Sequence, residues 1–416
     1  MKSKNSTIII YLLSYLAVVY GGLSFFSGTV ISKIVMILFT LTIFLLNNPK
    51  FDLKLLLVVL YLIIVIGIQK IFWGGSIFTA LNYILLIIFI PYFMLKRIGL
   101  DYPKYMVNII FIYAIISLIF WVFTNLFPSF HQFQYDLAEK LGTDPKDYSK
   151  SMMGRPEQFI LYTYEPGGIG NFIRNPGPFH EPGAFSVFLI YGIVFNTIIK
   201  HNFLNLKNVC MSIAILTTFS TSGYIALMLL IIFTVFVSRL NLFYKYLILL
   251  IIIGLSFFVY NKVEFLNAKI QAQYTEQTKG SITESTSGRF SGLRRDLNVL
   301  GKYPLWGRGL LSSTQADYSS SEGVGYGFTS FIARLGLIGG LLYLLFQYNT
   351  LKQYCFYYNF NRRYAIYAFI ALLITLFGQW FCESGLFIML FLTSFIYPNF
   401  GEKRINSKNT SLVNLQ

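Results

Sequence analysis

The residues best suited to chemistry gather in RNPGPFHEPGAF, positions 174–185. His180 and Glu181 are the only adjacent His and Glu in the chain, and either could take a proton from a hydroxyl as a general base. Arg174 adds a permanent charge with the planar fork that suits phosphate. A second basic set follows in SGRFSGLRRD, 287–296, and KYPLWGRGL, 302–310, which supply Arg289, Arg294, Arg295 and Arg308. Clustered arginines suit a substrate bearing phosphate or carboxylate, although exposed arginines are by default only solvated. Likewise, a Pro/Gly-rich loop ending in Glu is by default only a helix cap. Arg155 stands open between substrate contact and anchorage at a membrane interface. Tyr162, Tyr164 and Tyr326 could stack on sugar rings. No HExxH, Asp-x-Asp or paired-His spacing accompanies these residues, so a metal-independent reaction without a cofactor is expected.

The elements that must position these groups read as membrane spans. Charged residues make up 12% of the chain against 55% hydrophobic, about half the charged share of a soluble globular protein. The apolar residues also arrive in blocks such as KLLLVVLYLIIVIGI, 54–68. With about 20 residues per span, candidate helices fall near 6–26, 29–46, 54–69, 76–95, 105–127, 183–199, 246–260, 328–346, 364–381 and 385–398. The block 208–238 would be about 46 Å long as one helix, too long for a hydrocarbon core of about 30 Å. It is interrupted by TFSTSG at 218–223, so two short helices meeting at that break fit better. The expected fold is therefore all-α and polytopic, with about 12 transmembrane helices in a single integral membrane domain, 1–416. Two long polar segments, 128–182 and 261–327, interrupt it.

The excess of 33 Lys and Arg over 17 Asp and Glu follows from topology and implies no nucleic acid partner. Lys2, Lys4, Lys96, Arg97, Lys200, Lys207, Arg362, Arg363 and Lys403 would all lie on the side of the N-terminus. The positive-inside rule then makes both termini cytoplasmic and turns both polar segments outward. Pro182 opens the apolar run that follows the first segment, which places Glu181 at or next to a helix N-cap. The unpaired N–H groups and positive end of that helix form a natural anion site. Ionisable candidates for a transporter's proton relay are few, namely Lys33, Arg334 and Glu383 near predicted span ends. Cys210, Cys355 and Cys382 form no metal spacing and are read as packing residues.

The motif R-x-P-G-x-F-x-E-P-x-A from Arg174 to Ala184, the break at 218–223, and S-G-R followed by P-L-W-G-R-G from Ser287 to Gly309 resemble the bacterial O-antigen polymerase and ligase superfamily, the Wzy-type enzymes. The resemblance implies a GT-C-like fold in the bacterial inner (plasma) membrane. It also implies a glycosyltransferase that moves a growing O-antigen or capsule glycan from undecaprenyl diphosphate onto a lipid-linked repeat unit at the outer face. Its partners would be the undecaprenyl-diphosphate-linked oligosaccharide, membrane lipid and a chain-length regulator. By match of motif, Arg174 and Arg289 would hold diphosphate and Glu181 would be the base, with His180 as the competing choice. Arg295, Arg308, Arg155 and Tyr326 complete the expected substrate-binding set. The ligase branch, which transfers finished glycan to lipid A–core, typically carries a His shortly before the late span. Here EGVGYGFTSFIARLGLIGG has none, which favours polymerase. A flippase of lipid-linked oligosaccharide is the third reading and draws least on the sequence, because the charge lies in loops.

Overall fold

The structure, a computed structural model, describes residues 4–19, 30–45, 52–73, 81, 83–140, 161–165, 168–169, 172–237, 241–247, 249–250, 254, 289–310 and 327–402. The helices are α1 (Lys4–Val19), α2 (Val30–Leu45), α3 (Leu53–Trp73), α4 (Ile90–Ile98), α5 (Tyr102–Leu126), α6 (Pro128–Lys140), α7 (Pro182–Lys200), α8 (Leu206–Thr218), α9 (Thr221–Val237), α10 (Arg289–Lys302), α11 (Phe328–Tyr357), α12 (Tyr364–Leu376) and α13 (Gly385–Ile396). A two-residue hairpin, β1 (Gly168–Ile169) paired antiparallel with β2 (Phe172–Ile173), precedes α7. By length and composition α3, α5, α7 and α11 could each cross a membrane, and α1, α8, α9, α12 and α13 are shorter apolar helices. The arrangement is that of a helical membrane protein. Most of the expected span at 246–260 and the end of the first at 20–26 lie outside the described residues.

Prolines set several boundaries. A π-helical turn, Leu85–Phe89, runs into α4 where Pro91 lacks an N–H and crowds the carbonyl four residues back, and Ile90 N–H bonds instead to Leu85 O. Phe127, forced out of the helical region by Pro128, ends α5 with φ −124° and ψ 97°. The first polar segment thus begins with an amphipathic helix, α6, where the sequence reading placed only a loop.

The centre of the bundle is α7. It packs against α5, α8, α9 and α12, and 94% of its apolar window is buried, compared with 33% for α3. Since helices in lipid associate through close packing rather than through exclusion of water, a fully wrapped helix is the most precisely placed element available. A second layer is built by α13, which packs on α11, α4 and α1.

Two helices are broken at the level of the polar segments, and a loop from the preceding segment occupies each break. In the first, α8 stops at Thr218, Phe219 adopts a left-handed conformation (φ 48°), and α9 starts at Thr221. This is the division that the length of 208–238 demanded. Asn175 N–H donates to the freed Thr217 carbonyl at 3.0 Å, and the Asn175 amide reaches Thr217 Oγ1 at 2.8 Å.

The second break lies inside α11, at Gly336 (φ 80°, ψ 170°), where a continuous span was expected. Arg308 N–H bonds Ala333 O at 2.8 Å, and Leu337 N–H bonds Pro304 O at 2.8 Å. Gln69 Nε2, from α3, donates to Trp306 O at 2.6 Å and to Arg334 O at 3.0 Å. Irregular backbone at membrane depth is tolerated only when its polar groups find partners in this way. Gly336 and Gly307 are required here: both have positive φ, and a Cβ on either would run into the backbone of the other strand of the junction.

Candidate active site

The first docked loop carries Arg174, His180 and Glu181 to the start of α7. Glu181 is the N-cap residue in extended conformation (φ −155°, ψ 156°), with Pro182 following, as the sequence predicts. Its carboxylate makes no capping bond and instead accepts a hydrogen bond from Gln379 Nε2, beyond the end of α12. His180 is half-buried, with its ring 5.8 Å from Phe381. Arg174 Nε donates to Thr218 O at 3.2 Å, on the last turn of α8. The start of α9 lies beside the start of α7, because Ser186 Oγ meets Ser220 Oγ at 3.2 Å. Two helix N-termini, each a positive dipole end, therefore adjoin the loop that bears Arg174 and Glu181, and at α9 Ser220 Oγ already accepts from Gly223 N–H at 3.4 Å. An anion would be stabilised there, and a carboxylate would remain an acceptor beside it.

The second docked loop and α10 form another charged group. Asp296, fully buried on α10, accepts from Thr329 Oγ1 at 2.8 Å and lies 3.7 Å from Arg308 Nη1. Burial raises the Asp296 carboxyl above its ordinary value, opposed by the Thr329 bond and by the charges of Arg308 and Arg295. Arg308 also donates to Ser330 Oγ at 2.7 Å. Expected on an aqueous face, it is instead 6% exposed. The reason is that its backbone completes the break in α11, which draws the side chain inward with it. Arg295 is half-buried and Arg294 exposed. Arg289 opens α10. Arg155 and Tyr326 lie outside the described residues.

Of the tyrosines expected to stack on sugar, Tyr162 and Tyr164 are also occupied. Tyr162 stacks on Phe120 at 5.2 Å, and Tyr164 stacks on His131 of α6 at 4.7 Å, both being buried. Burial lowers the His131 pKa, with the Glu165 carbonyl opposing, so the neutral ring is the form that packs. These rings hold residues 161–165 of the first polar segment onto α5 and onto the segment's own helix, α6, which a count of aromatics alone does not reveal.

What joins the two groups is the turn between α12 and α13, residues 377–384. Gln379 reaches Glu181, and Trp380 lies under the Arg334 guanidinium at 4.5 Å. Phe381 packs against Phe188 of α7 at 5.2 Å. Glu383 pairs with Arg334 at 2.8 Å and accepts from Tyr83 at 2.8 Å. Sequence reasoning placed Gln379 and Trp380 inside a span and so missed both, together with Asp296 and Gln69. Polar side chains flanked by Phe377, Gly378 and Phe381 were the available signal. No family model, curated protein or solved structure matches the chain.

Proposed function

We propose that the chain is a metal-independent polysaccharide polymerase of the O-antigen or capsule type, with about twelve spans in a GT-C-like arrangement, both termini cytoplasmic and the site at the outer face of the plasma membrane. The observation that supports this reading best is that one loop carries both Arg174 and Glu181 to the start of α7, with the start of α9 adjoining. The chemistry needs this pairing of base and anion site.

In the proposed step, a hydroxyl of the lipid-linked repeat unit attacks the anomeric carbon of the growing glycan. The new glycosidic C–O bond forms as the bond to undecaprenyl diphosphate breaks, and the diphosphate departs with the electron pair. The hydroxyl proton passes to Glu181, with His180 as the alternative acceptor. Arg174 and the helix ends stabilise the departing diphosphate, joined in the proposal by Arg289, Arg295 and Arg155 from the polar segments and by Tyr326 against sugar. Arg308 acts in this scheme by fixing the second loop.

The test is a gel of surface polysaccharide from a strain lacking the gene, complemented with wild type or with Glu181→Ala. Wild type should restore a ladder, while Glu181→Ala, expressed at the same level, should leave single repeat units on lipid, a rate loss of about 10²–10⁴-fold. Long chains that accumulate on the lipid carrier in the deletion strain would instead identify a ligase.

A further inference from the structure

Gln379 is 3% exposed, and its side-chain amide is directed at the Glu181 carboxylate. A buried amide left unpaired is costly, so this contact fixes both partners. The turn holding Gln379 is itself restrained at several points. Gln379 N–H bonds Leu376 O at 3.3 Å, Phe381 N–H bonds Gln379 O at 3.0 Å, and Glu383 is tied to Arg334 and Tyr83.

A second observation concerns the space beside that bond. Gly183, the second residue of α7, leaves open the space the amide uses: a Cβ there would fall 2.5 Å from Gln379 Nε2 and 3.5 Å from Glu181 Oε1. The first distance is closer than real contacts allow, and the backbone of α7 is locked by packing. The amide would therefore have to withdraw from Glu181.

We propose that Gln379 is a positioning residue for Glu181, that it acts through a neutral donor admitted by Gly183, and that it orients the carboxylate without neutralising it. The role as stated rests on the polymerase reading. Lys or Arg at this position would stabilise the carboxylate as an ion pair and reduce its capacity to accept a proton. An amide fixes direction and adds no charge.

The test uses the full chain in proteoliposomes with lipid-linked repeat units, comparing wild type, Gln379→Leu, Gly183→Ala and the double variant. Gln379→Leu should lower kcat by about 10–100-fold with KM changed by less than about threefold. Gly183→Ala should lose part of the same factor, and the double variant should be no worse than Gln379→Leu, because both act through one bond. Losses that multiply in the double variant would overturn the proposal.

Carbodiimide-driven amidation of Glu181, read by peptide mass spectrometry, requires no substrate. Gln379→Leu and Gly183→Ala should shift its rate in the same direction by about fivefold. Equal rates in all proteins overturn the pairing. Should wild type fail to elongate glycan, the polymerase reading falls and amidation alone decides the pairing. Should Gln379→Leu fail to fold, Gly183→Ala, which keeps both partners, decides it.

Discussion

Arg174 shows why charge alone does not define a residue's task. Its Nε is anchored on the Thr218 carbonyl, which sets the plane of the guanidinium relative to the starts of α7 and α9. Lysine carries the same charge but a single nitrogen, so it can reach that carbonyl or an oxyanion, not both in the same geometry. Arg174→Lys is therefore expected to reduce the initial rate of glycan elongation by about tenfold or more while leaving the protein folded, the loss being that of one charge-assisted hydrogen bond. Full activity of the lysine variant would remove Arg174 from the proposed diphosphate site. The contrast with Arg308 is instructive. Both arginines stand within three residues of turn-forming Pro or Gly residues in a polar segment and look alike in sequence, yet Arg308 is enclosed by Asp296 and Ser330.

At the level of elements, the two broken helices differ in how they announce themselves. The break between α8 and α9 was legible, because TFSTSG interrupts an apolar run too long for one span. The start of α7 was legible too, since Glu-Pro before an apolar run leaves little choice of cap. The break at Gly336 was not legible. ARLGLIGG reads as ordinary apolar helix, and what opens it is the 304–310 loop, whose backbone replaces the missing intrahelical partners. The end of α12 at Leu376 was hidden for a similar reason: hydropathy counts Phe377, Trp380 and Phe381 as span, while the polar contacts of Gln379 and Glu383 come from helices far away in sequence. Gly336→Ala would require positive φ of a residue with a Cβ and would drive that carbon into the Leu305 carbonyl. A loss of at least about 1–3 kcal/mol is expected, visible as a lower unfolding temperature in detergent. Unchanged thermal stability would show that the loop and the helix are not joined as described.

Over the whole molecule, burial sets α7 apart from α3. Leu53 and Ile71 of α3 are 80% and 83% exposed, whereas α7 is enclosed by protein. A photoactivatable probe dissolved in the bilayer should accordingly tag peptides of α3 heavily and those of α7 hardly at all, and comparable tagging of both would contradict the central position of α7. That position also bears on biosynthesis. Glu181 and Gln379 stand 198 residues apart, so a ribosome that has finished α7 has made a carboxylate whose donor is still untranslated, on a helix whose neighbours α8, α9 and α12 do not yet exist. A chain released before α12 is made therefore carries Glu181 without its donor, and the pair can close only after the ribosome has passed Gln379.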